Sequence, residues 1–113
     1  MNNFQHQHTA HCESGVMSTM LKAQGVDFNE AMVFGLASAS TFVYIPLVKV
    51  NGMPLISYRM PPKSIIKNVA KRLKVRLNIQ KFRSPQAGQE ALDLALAENK
   101  LIGLQTSVFW LPY

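Results

Sequence analysis

Residues 11–25 of the chain read HCESGVMSTMLKAQG and predict its first helix, from Cys12 to Gln24. Apolar residues recur there at helical intervals of one, three and four positions, at Val16, Met17, Met20 and Leu21. Gly25 supplies the glycine that commonly follows the last turn of a helix. The sequence therefore places the only cysteine of the chain at the beginning of a helix.

A second, short helix is predicted directly after the first. Asp27 and Glu30 have the spacing of a capping box, in which two side chains satisfy the free N–H groups of the first helical turn. The helix continues through Phe34, and the small residues from Gly35 to Ser40 predict a tight turn that ends it. We therefore expect two helices before the first strand.

A β-hairpin follows these helices. Thr41–Val50 is rich in β-branched and aromatic residues, Asn51-Gly52 is the commonest signal for a type I′ turn, and Met53–Met60 predicts the returning strand. Pro46 and Pro54 lack the N–H group that a sheet requires, so both strands should lie at sheet edges or contain bulges.

The second half of the chain predicts two more helices and two more strands. Lys63–Leu73 has an apolar stripe and a basic stripe at helical spacing, whereas Val75–Gln80 alternates between apolar and polar residues like a half-buried strand. Ser84-Pro85 is a cap followed by a proline and begins a helix that runs to Asn99. Leu101–Leu111, apolar on both faces, predicts a central strand. This mixture of elements predicts an α+β fold.

Length and composition indicate one ordinary globular domain over residues 1–113. Hydrophobic residues make up 48% of the chain and charged residues 16%, which is enough for a packed core. A single cysteine excludes an internal disulfide framework and fits a reducing compartment. Residues 1–10 are polar and contain no secretory signal, and the uncharged stretch 31–48 is too interrupted to span a membrane. We therefore expect a cytoplasmic protein without a membrane segment.

Charge is distributed unevenly along the chain, which carries a formal net charge of +6. Residues 31–89 contain no acidic residue but ten of the twelve lysines and arginines. Such a surface favours an acidic partner, although a lysine stripe is often only a solvated face. The basic stretch has too few aromatic residues and no motif for nucleic-acid binding. The candidate partner-binding residues are Lys63, Lys67, Lys71 and Arg72.

Cys12 is the candidate catalytic residue. The free N–H groups at a helix N-terminus increase the fraction of a thiol that is present as thiolate, although a free cysteine is more often a buried structural residue. A cysteine nucleophile needs a base, and the three histidines, His6, His8 and His11, all precede it. Of these, adjacent His11 is the one that could perturb the thiol. Together the four residues could bind a metal, but their spacing matches no standard zinc site, and we expect neither a metal nor another cofactor.

Short motifs along most of the chain resemble the N-terminal domain of the butirosin biosynthesis protein H family. They are HCES at residues 11–14, MVFGL at 32–36, Phe42 and Tyr44, and the closing Leu111-Pro112-Tyr113. The resemblance implies a relationship to papain-like cysteine peptidases, including the bacteriocin-processing type. It also implies a papain-like N-terminal helix packed on an antiparallel-rich sheet, with Cys12 as the nucleophile.

The same resemblance implies an acyltransferase activity, in which an aminoacyl group passes from an acyl carrier protein to an aminoglycoside amine. The histidine of the family lies on a strand beyond the Leu-Pro-Tyr element, so the chain, which stops at Tyr113, is expected to be an incomplete papain-like domain. The oxyanion glutamine of papain-like enzymes lies six residues before the cysteine. That position is His6 here, which leaves Gln5 and Gln7 as the candidates.

Two functional hypotheses lead, and a metal-binding or nucleic-acid-binding protein is a third, weaker one. The first is the N-terminal part of a cysteine-dependent acyl-transfer or peptidase-like domain, inactive alone, with an acyl carrier protein as donor and a small amine as acceptor. The alternative is a non-catalytic module that docks an acidic protein through its basic face. The apolar residues from Phe109 to Tyr113 should leave an unpaired sheet edge, so self-association into a homodimer is expected.

Overall fold

The computed structural model describes residues 5–107 and 109, and within them the chain forms four helices and one two-stranded antiparallel sheet. The prediction of an α+β fold is therefore confirmed. The described residues belong to two compact units, one that ends at Asn78 and one that begins at Ile79. A single domain over residues 1–113 stays a prediction.

The first unit contains three helices and a hairpin. In chain order its elements are α1 (Cys12–Ala23), α2 (Glu30–Leu36), β1 (Ser40–Val50), β2 (Met53–Arg59) and α3 (Ser64–Leu73). The three helices pack on one another. Their shared core consists of Met17, Leu21, Val33, Ala37, Ala39, Ile65 and Val69. The arrangement of α1 on a sheet, as in papain-like enzymes, stays a prediction.

Helix α1 begins and ends where the sequence predicts. His11, in an extended conformation, is its N-cap, and Cys12 is its first residue. Gln24 is the C-cap, and Gly25 follows with a φ of +83°, a conformation that glycine adopts without steric cost. The helix is thus bounded by local signals at both ends.

The predicted start of α2 was wrong by two residues. The N-cap is Asn29 instead of Asp27, and its side-chain Oδ1 accepts the N–H of Met32 at 2.9 Å. Asparagine and aspartate are equally good caps, so sequence spacing alone does not choose between them. As a result, Glu30 lies in the first turn of α2 and its carboxylate points elsewhere, toward the beginning of α1.

The hairpin is confirmed. β1 and β2 pair antiparallel around Asn51 and Gly52, whose φ angles of +52° and +82° are both positive, as a type I′ turn requires. The register shifts between Ile45 and Lys49, the interval that contains Pro46, so the proline lies at an irregularity of the ladder.

Two predicted strands are absent from the described part of the chain. Residues 75–80 and 101–107 form neither helix nor strand, and Val75, Leu77 and Ile79 are exposed. An alternating pattern forms a strand only when a neighbouring strand accepts its hydrogen bonds, and none lies beside these residues within the described regions. The rest of the predicted last strand, and most of the apolar tail, lie outside the described residues, so the homodimer stays a prediction.

The second unit contains helix α4 (Pro85–Ala97), and its predicted start is confirmed. Ser84 is the N-cap and its hydroxyl accepts the N–H of Ala87 at 3.2 Å, with Pro85 at the first helical position. Across the described residues, no helix combines the length and the apolar character needed to cross a lipid bilayer.

Truncation of Val33 tests the three-helix core of the first unit. Val33 is 0% exposed, so Val33→Ala removes two buried methyl groups and leaves a cavity that should cost about 2 kcal/mol in the free energy of unfolding. Val16→Ala, the same change at an exposed site on α1, should cost about 0.5 kcal/mol or less. Urea unfolding measures both; equal losses would contradict a core centred on Val33.

Candidate functional site

The thiol of Cys12 is exposed at the first position of α1. The interpretation of this residue as a buried structural cysteine is therefore wrong. Residues at the first helical position have N–H groups without a partner in the helix, and the positive end of the helix dipole lies beside them. Cys12 is therefore accessible to a reagent or substrate at the N-terminal end of the helix.

His11, directly before the cysteine, has contacts at both ring nitrogens. Nε2 lies 2.6 Å from the guanidinium Nη1 of Arg59, and Nδ1 lies 3.2 Å from the hydroxyl of Ser14 and 3.4 Å from its backbone nitrogen. An arginine can only donate, so Nε2 must accept and, in the neutral ring, Nδ1 carries the proton. Nδ1 then donates to the Ser14 hydroxyl, which itself donates to Glu30, and the longer 3.4 Å contact with the Ser14 N–H, for which Nδ1 would have to accept, is not a hydrogen bond of this tautomer. The edge of the ring packs against Phe34 at a centroid distance of 5.8 Å.

Glu30 accepts hydrogen bonds from the segment that leads into α1. Its Oε2 accepts the N–H of Ala10 at 2.9 Å, and its Oε1 accepts the N–H of His11 at 2.7 Å and the hydroxyl of Ser14 at 3.1 Å. These hydrogen bonds lower the pKa of Glu30 from its usual 4.5. The bond from Ala10 has the largest effect on the pKa, and the bond from His11 has the next largest. One carboxylate from α2 therefore holds the N-terminal end of α1.

Glu13 makes a comparable contact on the other side of the cysteine. Its two carboxylate oxygens accept the N–H groups of Lys63 and Ile66, each at 3.1 Å. Lys63 is the N-cap residue of α3, has a left-handed backbone conformation and supplies no side-chain cap. A carboxylate near a helix N-terminus also interacts favourably with the helix dipole. Glu13 thus caps α3 from the first turn of α1.

Gly15 allows the preceding segment to lie close to α1. A Cβ atom at this position would come within 2.0 Å of Oγ1 and 2.5 Å of Cβ of Thr9, which no side chain can tolerate without moving the threonine. The absence of a side chain at Gly15 therefore permits residues 9–11 to pack against the first turn of α1.

The two oxyanion candidates, Gln5 and Gln7, lie in a segment without regular structure and are exposed. Their assigned role stays a prediction. His6 and His8 are exposed in the same segment. Across residues 5–107, no three histidine, cysteine or acidic side chains come together closely enough to hold a metal ion.

The predicted basic residues of α3 do not form a uniform group. Lys67 and Lys71 lie one turn apart and are exposed, whereas Lys63 is partly buried at the start of the helix. Arg72 donates from Nη1 to the carbonyl oxygen of Leu36 and to the Ser38 hydroxyl at 2.8 Å, and so links α3 to the residues at the end of α2. Its donors are therefore used in part inside the unit.

A shallow cleft of about 400 Å³ lies beside His11. The side chains of Ser14 and Glu30 form part of its wall, and Phe34 and Gly35 of α2 complete it on the apolar side. The cleft adjoins the residue next to Cys12 and is open to solvent.

The sequence analysis assigns no role in this site to Glu13, Ser14, Glu30 or Arg59. Glu13 and Ser14 appear there only in the HCES motif, Glu30 only as a helix-capping residue, and Arg59 only within the basic stretch. A partial signal exists, because residues 5–78 contain just three acids, so each of them is a candidate for a specific contact. The sequence does not show which N–H groups those acids accept.

Comparison with known proteins matches the chain to a family model. The family model described as butirosin biosynthesis protein H, N-terminal, matches residues 11–113. Neither the curated proteins nor the solved structures gave a match to the chain. The matched range begins at His11 and includes Cys12, Glu13, Ser14, Glu30 and Arg59.

The lowered pKa of Glu30 predicts a loss of stability in acid. A carboxyl group whose pKa is lower in the folded state stabilises the fold above its unfolded-state value near 4.5, and this contribution is lost as the pH falls through the lowered folded-state value. Glu30→Gln should therefore be less stable than the wild type at about pH 7, with a difference that shrinks toward about pH 3. Urea midpoints measure it.

Asp27→Asn is the matched control for this experiment, because Asp27 is an exposed acid of the same unit. It should leave the urea midpoint almost unchanged at both pH values. A stability difference between Glu30→Gln and the wild type that stays constant from neutral to acid pH would contradict the assigned role of the Glu30 carboxylate.

Proposed function

The chain belongs to the butirosin biosynthesis protein H N-terminal family, and from this premise we propose that it is the N-terminal part of a cysteine-dependent acyl-transfer domain. Cys12 is the proposed nucleophile. The observation that carries the proposal is the exposed thiol at the first residue of α1, inside the range that the family model matches.

The reaction consists of two exchanges at one carbonyl carbon. In the first, the thiolate of Cys12 attacks the thioester of an acyl carrier protein; a new thioester forms on Cys12, and the carrier thiolate leaves and takes up a proton. In the second, an amine attacks the thioester on Cys12. The C–S bond breaks, the amide forms, and the proton of the amine passes to the cysteine sulfur through a base.

The two exchanges differ in what they demand of this chain. The first needs only a thiolate, which the N-terminal end of α1 favours. The second needs a general base, and His11 is poorly suited to that role because the lone pair of its Nε2 faces Arg59. By resemblance to the family, the base is a histidine on a strand that follows the Leu-Pro-Tyr element. We therefore expect residues 1–113 to form the thioester but to transfer it slowly.

An acidic carrier protein suits the charge of the first unit. The first unit contains three acidic residues. Two of them, Glu13 and Glu30, use their carboxylates to accept hydrogen bonds from within the unit. The exposed lysines of α3 therefore have few acidic neighbours to offset them. A surface of one sign increases the rate at which an oppositely charged partner associates.

Acylation of Cys12 tests the catalytic proposal. Incubation with a short-chain N-acetylcysteamine thioester at neutral pH should add one acyl group to the protein, and peptide mass spectrometry should locate it on Cys12. Cys12→Ser should remain unmodified at this residue under the same conditions. The wild-type thiol should also react with iodoacetamide at least about twofold faster than the cysteine of an unstructured peptide, because of its helix position.

Two outcomes would count against a nucleophile at Cys12. One is a thioester that acylates lysines as fast as the cysteine, and the other is an alkylation rate equal to that of the unstructured peptide. Either result would favour a domain that uses its basic face for docking without acyl transfer.

Charge reversal on α3 tests the partner. The double variant Lys67→Glu and Lys71→Glu should reduce the association rate with an acidic acyl carrier protein roughly tenfold at low ionic strength, and much less in high salt, where charges are screened. The control pair Lys49→Glu and Lys81→Glu changes the net charge equally but lies outside α3. Stopped-flow measurements that show the same reduction for both pairs would contradict a specific docking face on α3.

A further inference from the structure

We propose that Glu30 and Glu13 are positioning residues for Cys12, holding the backbone on either side of it while its thiol stays exposed. The proposal rests on the function proposed above, because it concerns the reactivity of the same cysteine. Neither glutamate touches the thiol in the contacts described, so both act through the backbone and side chains next to it.

Glu30 fixes the residue before the cysteine. The N–H of His11 donates to Oε1 of Glu30 at 2.7 Å, and the N–H of Ala10 donates to Oε2. His11 is the N-cap of α1, and its backbone carbonyl accepts the N–H of Gly15 at 2.9 Å. The N-cap is therefore held from outside by the carboxylate and from inside by the first helical turn. Without the carboxylate, this end of the helix should fray.

Glu13 fixes the residue after the cysteine. Its carboxylate accepts two N–H groups at the beginning of α3, so the first turn of α1 is anchored to a second helix. Cys12 thus lies between two residues that are each tied to a different element of the core. Preorganisation of this kind keeps a reactive group in one geometry without burying it.

Ser14 links the Glu30 carboxylate to the ring of His11. It is 0% exposed, and its hydroxyl donates to Glu30 Oε1 and lies within hydrogen-bonding distance of His11 Nδ1. The donor directions then run from Arg59 to His11, from His11 to Ser14 and from Ser14 to Glu30. The negative charge of Glu30 at the end of this series favours the Nδ1–H form of the ring. The imidazole beside Cys12 is therefore held in one orientation and one tautomer.

Substitution of the two glutamates by glutamine tests positioning directly. Glu30→Gln places an amide NH₂ group opposite N–H donors, so at least one of the three hydrogen bonds is lost, and Glu13→Gln has the same effect at α3. Each variant should react with iodoacetamide about two- to fivefold more slowly at Cys12 near neutral pH, the factor expected when helix-end stabilisation of the thiolate is lost. Asp27→Asn should react at the wild-type rate.

A merely structural role would lower the unfolding midpoint without changing this rate. Alkylation is therefore measured at a temperature well below the thermal unfolding midpoint of every variant, and circular dichroism checks that each variant is folded. Reduced stability together with an unchanged alkylation rate and pH profile in both glutamine variants would overturn the proposal. Partial recovery of the rate in Glu30→Asp, which retains the charge, would support it.

The tautomer of His11 gives a second measurement that needs no variant to fold. Long-range ¹H–¹⁵N spectra of the wild-type protein should show a protonated Nδ1 and an unprotonated Nε2 on this ring. A wild-type ring protonated at Nε2 would contradict the series from Arg59 to Glu30. These spectra and the alkylation rates do not involve an acyl donor, so failure of acyl transfer to Cys12 would overturn the proposed function separately.

Discussion

The first unit depends on one carboxylate that accepts three hydrogen bonds. Glu30, in the first turn of α2, binds two backbone N–H groups before α1 and a hydroxyl in its first turn. It thereby fixes where α1 begins and how α1 meets α2. A carboxylate can accept several donors at once and binds them more strongly than a neutral acceptor does. The exposed cysteine, the ring of His11 and the close contact between Thr9 and Gly15 all lie within the segment that this interaction holds.

This constraint has an electrostatic consequence for the surface. The first unit contains three acidic residues, and two of them serve as internal acceptors, so the lysines of α3 remain uncompensated. The acids that hold the helix ends together are thus the same acids that are missing from the basic surface. A chain with more surface acids would neutralise its own basic face, on which the proposed docking of an acidic partner depends.

Several parts of the fold could be predicted because they depend on neighbouring residues only. The positive φ angles of Asn51 and Gly52 are properties of those residue types, and Ser84-Pro85 carries both the cap and the preset φ that begin α4. The predicted strands at 75–80 and 101–111 failed in the described residues for the opposite reason. A strand is stabilised by hydrogen bonds to a partner strand, and an alternating pattern in one segment does not show that such a partner is present.

The sequence by itself determined that Cys12 is the first residue of a helix, that a hairpin follows two helices, and that the surface is basic. The resemblance in its short motifs also identified the family correctly. Only the tertiary structure decided that Glu30 and Glu13 hold the residues next to the cysteine, and that the ring of His11 contacts Arg59. The reason is distance along the chain. These contacts join residues 19 to 53 positions apart, and their geometry depends on how α1, α2 and α3 pack, which no local pattern specifies.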